Sequence, residues 1–169
     1  AALTLHHDLE RVKALGIRII DDREVSAPSS TGRYSTLTLT DLEIPRLRNL
    51  VEAFGVPFSF DVVGVCAQDH GVPPQGVSHL DFRHTLFKKD LDRDPFPHAL
   101  LYRNHEIPPA FNRLRSIAQS AAEIPAGQVY VMDSGMAAIL GGSLDPLAKS
   151  KERILVLDLA TSHTLGAAL

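Results

Sequence analysis

Hydrophobic residues recur along the chain at two spacings, one typical of helices and the other of strands. Apolar residues three or four positions apart predict helices near residues 5–12, 45–54, 80–91, 109–121 and 136–140. Alternating or continuous apolar runs predict strands at residues 17–21, 34–40, 60–67, 129–132, 154–159 and 164–169. Strands that alternate with helices favour an α/β fold with a layered, mostly parallel sheet.

One apolar run is long enough to predict a central strand. Residues 60–67 read FDVVGVCA, which is typical of a parallel strand covered on both faces. The run contains Cys66, the single cysteine of the chain, which is predicted to be a small buried hydrophobe. One cysteine cannot form an intrachain disulfide, and a reduced compartment is expected.

The two ends of the sequence predict a fragment of a larger protein. The chain opens on Ala1 and Ala2 rather than Met and leads at once into a helix, and it closes on an apolar strand. A domain that stops on an unpaired strand would expose a sheet edge. The polar stretch 143–153 is the expected boundary. It separates an α/β domain over residues 1–145, truncated at its N-terminal side, from the incomplete start of a second domain at 153–169.

Composition and charge narrow the class of partner. The 169 residues are 44% hydrophobic and 22% charged with a net charge of −3, the balance of an ordinary globular protein. Lys and Arg are scattered, which argues against nucleic acid and an anionic membrane surface as partners. No signal peptide or long apolar segment is apparent. The sequence therefore predicts a cytoplasmic protein with a small-molecule ligand.

Polar residues gather where three predicted strands end. In open α/β sheets, ligands bind beyond the carboxyl ends of the strands. Carboxylates there can hold hydrated Mg²⁺ or orient a water, while glycines and hydroxyls let backbone N–H groups approach a phosphate. The alternative is that these residues only make turns and caps. The three candidate groups are Gln68, Asp69, His70 and Gly71; Asp133, Ser134 and Gly135; and Asp158 with Thr161, Ser162, His163 and Thr164.

Other chemistries leave weaker signals. Asp69, His70 and His79, with His84 nearby, could form a transition-metal site of a hydrolase, although their spacing matches no familiar metal motif. The chain lacks the P-loop, the dinucleotide-binding glycine pattern and the nucleophile elbow. An iron–sulfur cluster needs several cysteines, so none is expected in this segment.

Four blocks of sequence resemble a known family. They read AALTLHHDLERVKALG, AQDHGVPPQGVSHLDFR, VMDSGMAAILGGSL and LVLDLATSHTLGAAL. In this order they resemble a prokaryotic domain family of unknown function, whose members are often labelled pyruvate formate-lyase activating enzymes. The resemblance spans nearly the whole chain.

Two of these blocks also resemble the actin, Hsp70 and sugar-kinase superfamily. The closing block is similar to its second phosphate loop, in which a strand ends in Asp and Thr or Ser begins the next strand, as Asp158 and Thr164 do here. Residues 68–71 are similar to the Gln-x-His-Gly segment near the sugar site of carbohydrate kinases. The resemblance implies an actin-like, ribonuclease-H-like architecture, of which residues 153–169 begin the second domain.

The same resemblance implies a site and its cofactors. A nucleotide or phosphorylated small molecule, with ATP and Mg²⁺ as the cofactors, would undergo phosphoryl transfer or hydrolysis. Asp158 would hold the metal and phosphate, and Asp69 or His70 would face the second substrate. The first phosphate loop would precede Ala1, so the segment is expected to be inactive without the missing parts of its own chain. The other implied ligand-binding residues are Gln68, Asp133, Ser134, Gly135, Ser162, His163 and Thr164.

A departure from the phosphate-loop pattern supports a different function. Ala160, Thr161 and Ser162 stand where that loop has glycines, and their side chains narrow the approach of a phosphate. The alternative prediction is a non-enzymatic protein-interaction module that keeps the fold but has lost the phosphate cradle.

Overall fold

A computed structural model describes residues 9–18, 40–160 and 164–169. The predicted strands at 17–21 and 34–40 lie mostly outside these ranges. Thr161, Ser162 and His163 lie wholly outside them, so their predicted roles are not addressed by the structure.

The described residues form six α-helices and five strands. Two short 3₁₀ turns, Pro97–Leu100 and Asn104–Glu106, flank the second strand. The helices are α1 (Leu9–Ala14), α2 (Ile44–Ala53), α3 (His79–Leu91), α4 (Asn112–Ala121), α5 (Ser134–Ser143) and α6 (Pro146–Lys149). The strands are β1 (Phe60–Ala67), β2 (Leu101–Arg103), β3 (Ala126–Asp133), β4 (Leu155–Leu159) and β5 (Thr164–Ala168).

The strands form a small mixed sheet and a hairpin. In the order β1-β3-β2, β3 pairs parallel to β1 and antiparallel to β2, while β4 and β5 pair antiparallel with each other. The predicted α/β class is confirmed, but the described sheet is mixed rather than mostly parallel. The prediction missed β2, because three residues are too few to show an alternating pattern.

Strand β1 is covered on one face only, contrary to the prediction that both would be buried. Val63 and Val65 pack against buried core residues, whereas Val62, Gly64 and Cys66 on the other face are exposed. The reason is that helix α5, which lies on this second face, presents small side chains and covers it incompletely. Cys66 is therefore not the buried hydrophobe predicted from its apolar neighbours.

The core lies between the sheet and helix α4. Leu114, Ile117, Ala118 and Ala121 recur at helical spacing and are all buried. They pack in two adjoining clusters, one around Phe111, Tyr102 and Val131 and the other around Ile44, Phe58 and Ile124. This packing holds in place the sheet whose strand ends form the candidate site. No helix in the described ranges is long and apolar enough to cross a membrane.

Two helices begin at residues that favour a helix start. Ser78 accepts a hydrogen bond from the Asp81 N–H at 3.5 Å and caps α3. Pro45 lies in the first turn of α2. Helix α4 starts three residues later than predicted, at Asn112, because a tight turn precedes it, closed by the Phe111 N–H to the Pro108 carbonyl at 3.0 Å.

The β4–β5 hairpin packs along helix α5 through two glycines. A Cβ at Gly142 would lie 2.6 Å from Val156 Cγ1, and one at Gly135 would lie 2.8 Å from Leu165 Cδ2. At Gly142 a side chain would meet the stiff, β-branched Val156, whereas at Gly135 it would meet the flexible end of Leu165, which would have to shift. Val156 precedes Leu165 along the hairpin, while Gly142 follows Gly135 along the helix. The end of the hairpin at which Leu159 pairs with Thr164 therefore lies toward the N-terminus of α5.

Substituting Gly142 with alanine is expected to destabilise the hairpin contact. The added methyl strikes a β-branched side chain that has few alternative rotamers, and overpacking of this kind costs about 1–3 kcal/mol. Urea unfolding measures the change. Gly141→Ala is the matched control, since nothing lies within 4 Å of its Cβ position. There, the better helix propensity of alanine should add about 0.5–1 kcal/mol. Equal effects of the two variants would contradict the close packing.

Candidate functional site

Asp133 lies at the centre of a polar cluster at the carboxyl end of the sheet. It is 1% exposed, ends β3 and caps α5. Its Oδ1 accepts hydrogen bonds from the N–H groups of Gly135 at 3.0 Å and Met136 at 3.4 Å, and the same oxygen pairs with Arg83 Nη2. Its Oδ2 accepts the Asp69 N–H at 3.2 Å. Asp133 therefore acts as a helix cap, one of the two roles that the sequence left open.

Asp69 is the second buried carboxylate of this cluster, at 4% exposure. Its Oδ1 accepts the Gly71 N–H at 2.8 Å and its Oδ2 accepts the Leu114 N–H at 2.9 Å. These bonds join the end of β1 to the start of α4. Because Ala67 pairs with Asp133 in the sheet, the structure brings the first two predicted groups together. Both oxygens of each carboxylate are engaged by protein donors.

His70 presents a half-buried imidazole beside this pair. Its Nδ1 is buried and makes no hydrogen bond with a described residue. The ring lies edge-on to His79, with centroids 6.1 Å apart. Burial lowers the pKa of His70, and the charges of Arg83 and His79 lower it further. The imidazole is therefore neutral at neutral pH, the form that can accept a proton.

Gln68 contributes its backbone carbonyl to a contact at this edge. Arg113 Nη1 donates to the Gln68 carbonyl at 3.1 Å, while its Nη2 pairs with Asp41 at 2.6 Å. The hydrogen bond with Asp41 raises the pKa of Arg113. Arg113 thus ties the segment before α2 to the end of β1.

Arg83 is the residue of this cluster that the sequence analysis missed. It lies in α3 with 2% exposure, and its Nε is buried without a hydrogen-bond acceptor among the described residues. Its guanidinium also lies over the Phe87 ring, 5.2 Å from the centroid. A signal was present in the sequence, since Arg83 lies four positions before Phe87 and so shares the apolar face of the helix.

Asp158 lies on the hairpin face that is turned toward α5. It pairs across the hairpin with Leu165, and both are half-buried. Because Leu165 contacts the position of Gly135, Asp158 lies near the first turn of α5. Within the described ranges, no hydrogen bond or ion pair engages its carboxylate. Ser134, half-buried in the same turn of α5, likewise has an unengaged hydroxyl within those ranges. Thr164 is exposed at the start of β5.

A transition-metal centre receives no support from the described part of the chain. Across residues 9–18, 40–160 and 164–169, no group of three or more His, Cys, Asp or Glu side chains is arranged to hold a metal ion. The suggested set of Asp69, His70 and His79 is therefore not such a group. The physical reason is that both Asp69 oxygens are directed at backbone N–H groups.

Comparison with protein families gives a match over the whole sequence. The profile of the family described as "Putative pyruvate format-lyase activating enzyme (DUF1786)" matches residues 1–169. Neither a curated protein nor a solved structure gave a match. Since the match covers the whole sequence, the chain belongs to this family.

Proposed function

We propose that the protein binds a magnesium–nucleotide or another phosphorylated small molecule between the β4–β5 hairpin and the first turn of α5, within an actin-like architecture. Phosphoryl transfer or hydrolysis is the proposed reaction of the intact protein. The observation that carries the proposal is the unengaged carboxylate of Asp158 near a helix N-terminus. A carboxylate with two available oxygens is the ligand type that Mg²⁺ takes when it also binds substrate phosphates.

The other two carboxylates of the cluster already accept hydrogen bonds from the protein, which supports Asp158 as the ligand of the metal. Asp69 and Asp133 accept hydrogen bonds on both oxygens and are almost fully buried, so ligand binding would require breaking those bonds. Their proposed role is to hold the strand ends in place. Gln68 and Gly135 contribute backbone to the same scaffold.

The remaining residues have complementary roles in this proposal. Ser134, Ser162 and Thr164 offer hydroxyls to the phosphate, with His163 in the same turn. His70, neutral because its pKa is lowered, serves as a base or orienting group toward the second substrate. In such reactions, positioning and charge neutralisation supply most of the rate enhancement.

The family description suggests a different cofactor that this chain does not fit. An activating enzyme of that name would hold an iron–sulfur cluster through several cysteine thiolates. The chain has one cysteine, and partial desolvation of its sulfur, followed by the charge of Asp133, raises the pKa of that Cys66 thiol. We therefore derive no step through an iron–sulfur cluster.

A thermal-shift titration tests the proposal. The full chain is titrated with ATP and ADP, each with and without Mg²⁺. A ligand that binds the native state at a hundred times its Kd should stabilise it by about 2.7 kcal/mol. We expect a magnesium-dependent rise in melting temperature that is lost in Asp158→Ala. Asp61→Ala is the control, because Asp61 is an exposed strand carboxylate at the opposite end of the sheet. Equal shifts in both variants, or none up to millimolar nucleotide, would rule out the assigned site.

One observation favours the alternative of a protein-interaction module. The hairpin face turned away from α5 carries Leu155, Leu157 and Leu159, which are between 56% and 76% exposed. Exposed apolar groups of this kind mark contact surfaces in folded proteins. Absence of any nucleotide-dependent shift, together with unchanged behaviour of Asp158→Ala, would favour this second function.

A further inference from the structure

A continuous set of contacts joins Arg83 in the core to Asp158 on the hairpin. Arg83 pairs with Asp133, and Asp133 holds the first turn of α5 through the Gly135 and Met136 N–H groups. Leu165 packs on that turn at Gly135. Asp158 is the cross-strand partner of Leu165. Each link is a direct contact or a hydrogen-bonded pair.

The positive charge of the Arg83 guanidinium stabilises this set of contacts through its ion pair with Asp133. Asp133 is buried at the end of β3, close to a second buried carboxylate, Asp69. The backbone N–H groups it accepts are neutral donors, and Arg83 supplies the positive charge. Without Arg83, the buried Asp133 carboxylate would lose its charged partner beside a second buried carboxylate, and breaking a buried pair in this way is strongly destabilising.

Arg83 also limits the space around the first turn of α5. A Cβ at Gly135 would lie 3.4 Å from Arg83 Nη2 as well as 2.8 Å from Leu165 Cδ2. The guanidinium and the hairpin leucine thus contact the same glycine from two sides. A shift of the guanidinium changes the surface on which Leu165 rests.

We propose that Arg83 is a positioning residue for Asp158: it pairs with the buried Asp133 carboxylate and thereby fixes the helix turn that seats the hairpin. Its effect on the hairpin stands on the contacts alone, while its effect on ligand binding rests on the proposed function. Arg83 itself touches no ligand in this assignment.

Amide hydrogen exchange on the full chain tests the positioning role. In Arg83→Met, amides of β4 and β5 should exchange about tenfold faster relative to those of α4, because a local contact has been lost. Ile117→Ala is the control for general destabilisation. Ile117 is buried in α4 against the opposite face of the sheet, so its truncation should affect the hairpin and α4 alike. Arg83→Lys keeps the charge and should restore most of the protection.

Each outcome decides for or against the positioning role. A hairpin-specific loss in Arg83→Met, rescued in Arg83→Lys, supports it, and a loss shared equally with α4, as in Ile117→Ala, overturns it. If Arg83→Met does not fold, the lysine variant decides by the same comparison of hairpin with α4. Magnesium–ATP titration adds a second readout, with the Kd raised in Arg83→Met. If the wild-type protein binds no nucleotide but Arg83→Met still shows the hairpin-specific loss of protection, only the proposed function is refuted.

Discussion

Replacing Asp133 with asparagine is expected to destabilise the protein by about 3–5 kcal/mol, because the change leaves the buried charge of Arg83 without a partner. Asparagine is as good a helix cap as aspartate, so the hydrogen bonds to the Gly135 and Met136 N–H groups can be kept. The loss is therefore assigned to the ion pair together with the hydrogen bond from the Asp69 N–H to Oδ2, which an amide nitrogen cannot accept. Urea unfolding followed by circular dichroism measures it.

The double variant Asp133→Asn with Arg83→Met provides the control for this prediction. It removes both charges, and replacing a buried ion pair by neutral groups is often close to neutral for stability. We expect the double variant to be more stable than Asp133→Asn alone. A loss equal to the sum of the single changes would show that Arg83 and Asp133 act independently, contrary to their contact.

Gly71→Ala is expected to cost about 2–5 kcal/mol, from two effects that add at one position. Gly71 has φ +68°, a left-handed conformation that costs an alanine about 1–2 kcal/mol. In addition, its Cβ would lie 3.0 Å from the Phe82 ring, 3.1 Å from Leu86 Cδ1 and 3.2 Å from the Ala110 carbonyl. Thermal or urea unfolding measures the loss.

Gly76→Ala separates the two effects. Gly76 has a similar φ of +83°, but nothing lies within 4 Å of its Cβ position. The variant should therefore show the conformational cost alone, and the difference between the variants reports the packing around Gly71. If Gly76→Ala were as destabilising as Gly71→Ala, the contacts with Phe82, Leu86 and Ala110 would carry no weight.

The sequence predicted the regular elements well because their signals are local. Pro45, Ser78 and Gly55 mark the ends of helices, and the structure places helix ends next to each of them. What the sequence could not predict is which faces become covered. The FDVVGVCA run has the same apolar pattern whether one or both faces of the strand are packed. Only the three-dimensional structure shows that Cys66 is exposed.

The candidate site was predicted in part for a similar reason. A strand that ends in Asp can be recognised along the chain, and the groups at Asp69 and Asp133 do lie together. Whether a carboxylate is free or engaged depends on partners far away in sequence. Asp133 pairs with Arg83, which lies 50 positions earlier in the chain, and Asp69 accepts a hydrogen bond from the Leu114 backbone N–H. No linear pattern shows that these distant residues are partners, although the position of Arg83 on an apolar helix face is itself visible in the sequence.

The pairing of β1 with β3 has a consequence for the synthesis of the protein. On the order of sixty residues separate Ala67 from Asp133, its neighbour in the sheet. At translation rates of about 5–20 residues per second, β1 would wait several seconds after its own synthesis before its parallel partner exists. The β4–β5 hairpin, in contrast, joins residues adjacent along the chain and can close within microseconds. The nascent chain is therefore most exposed to aggregation while the apolar strand β1 still lacks its partner β3.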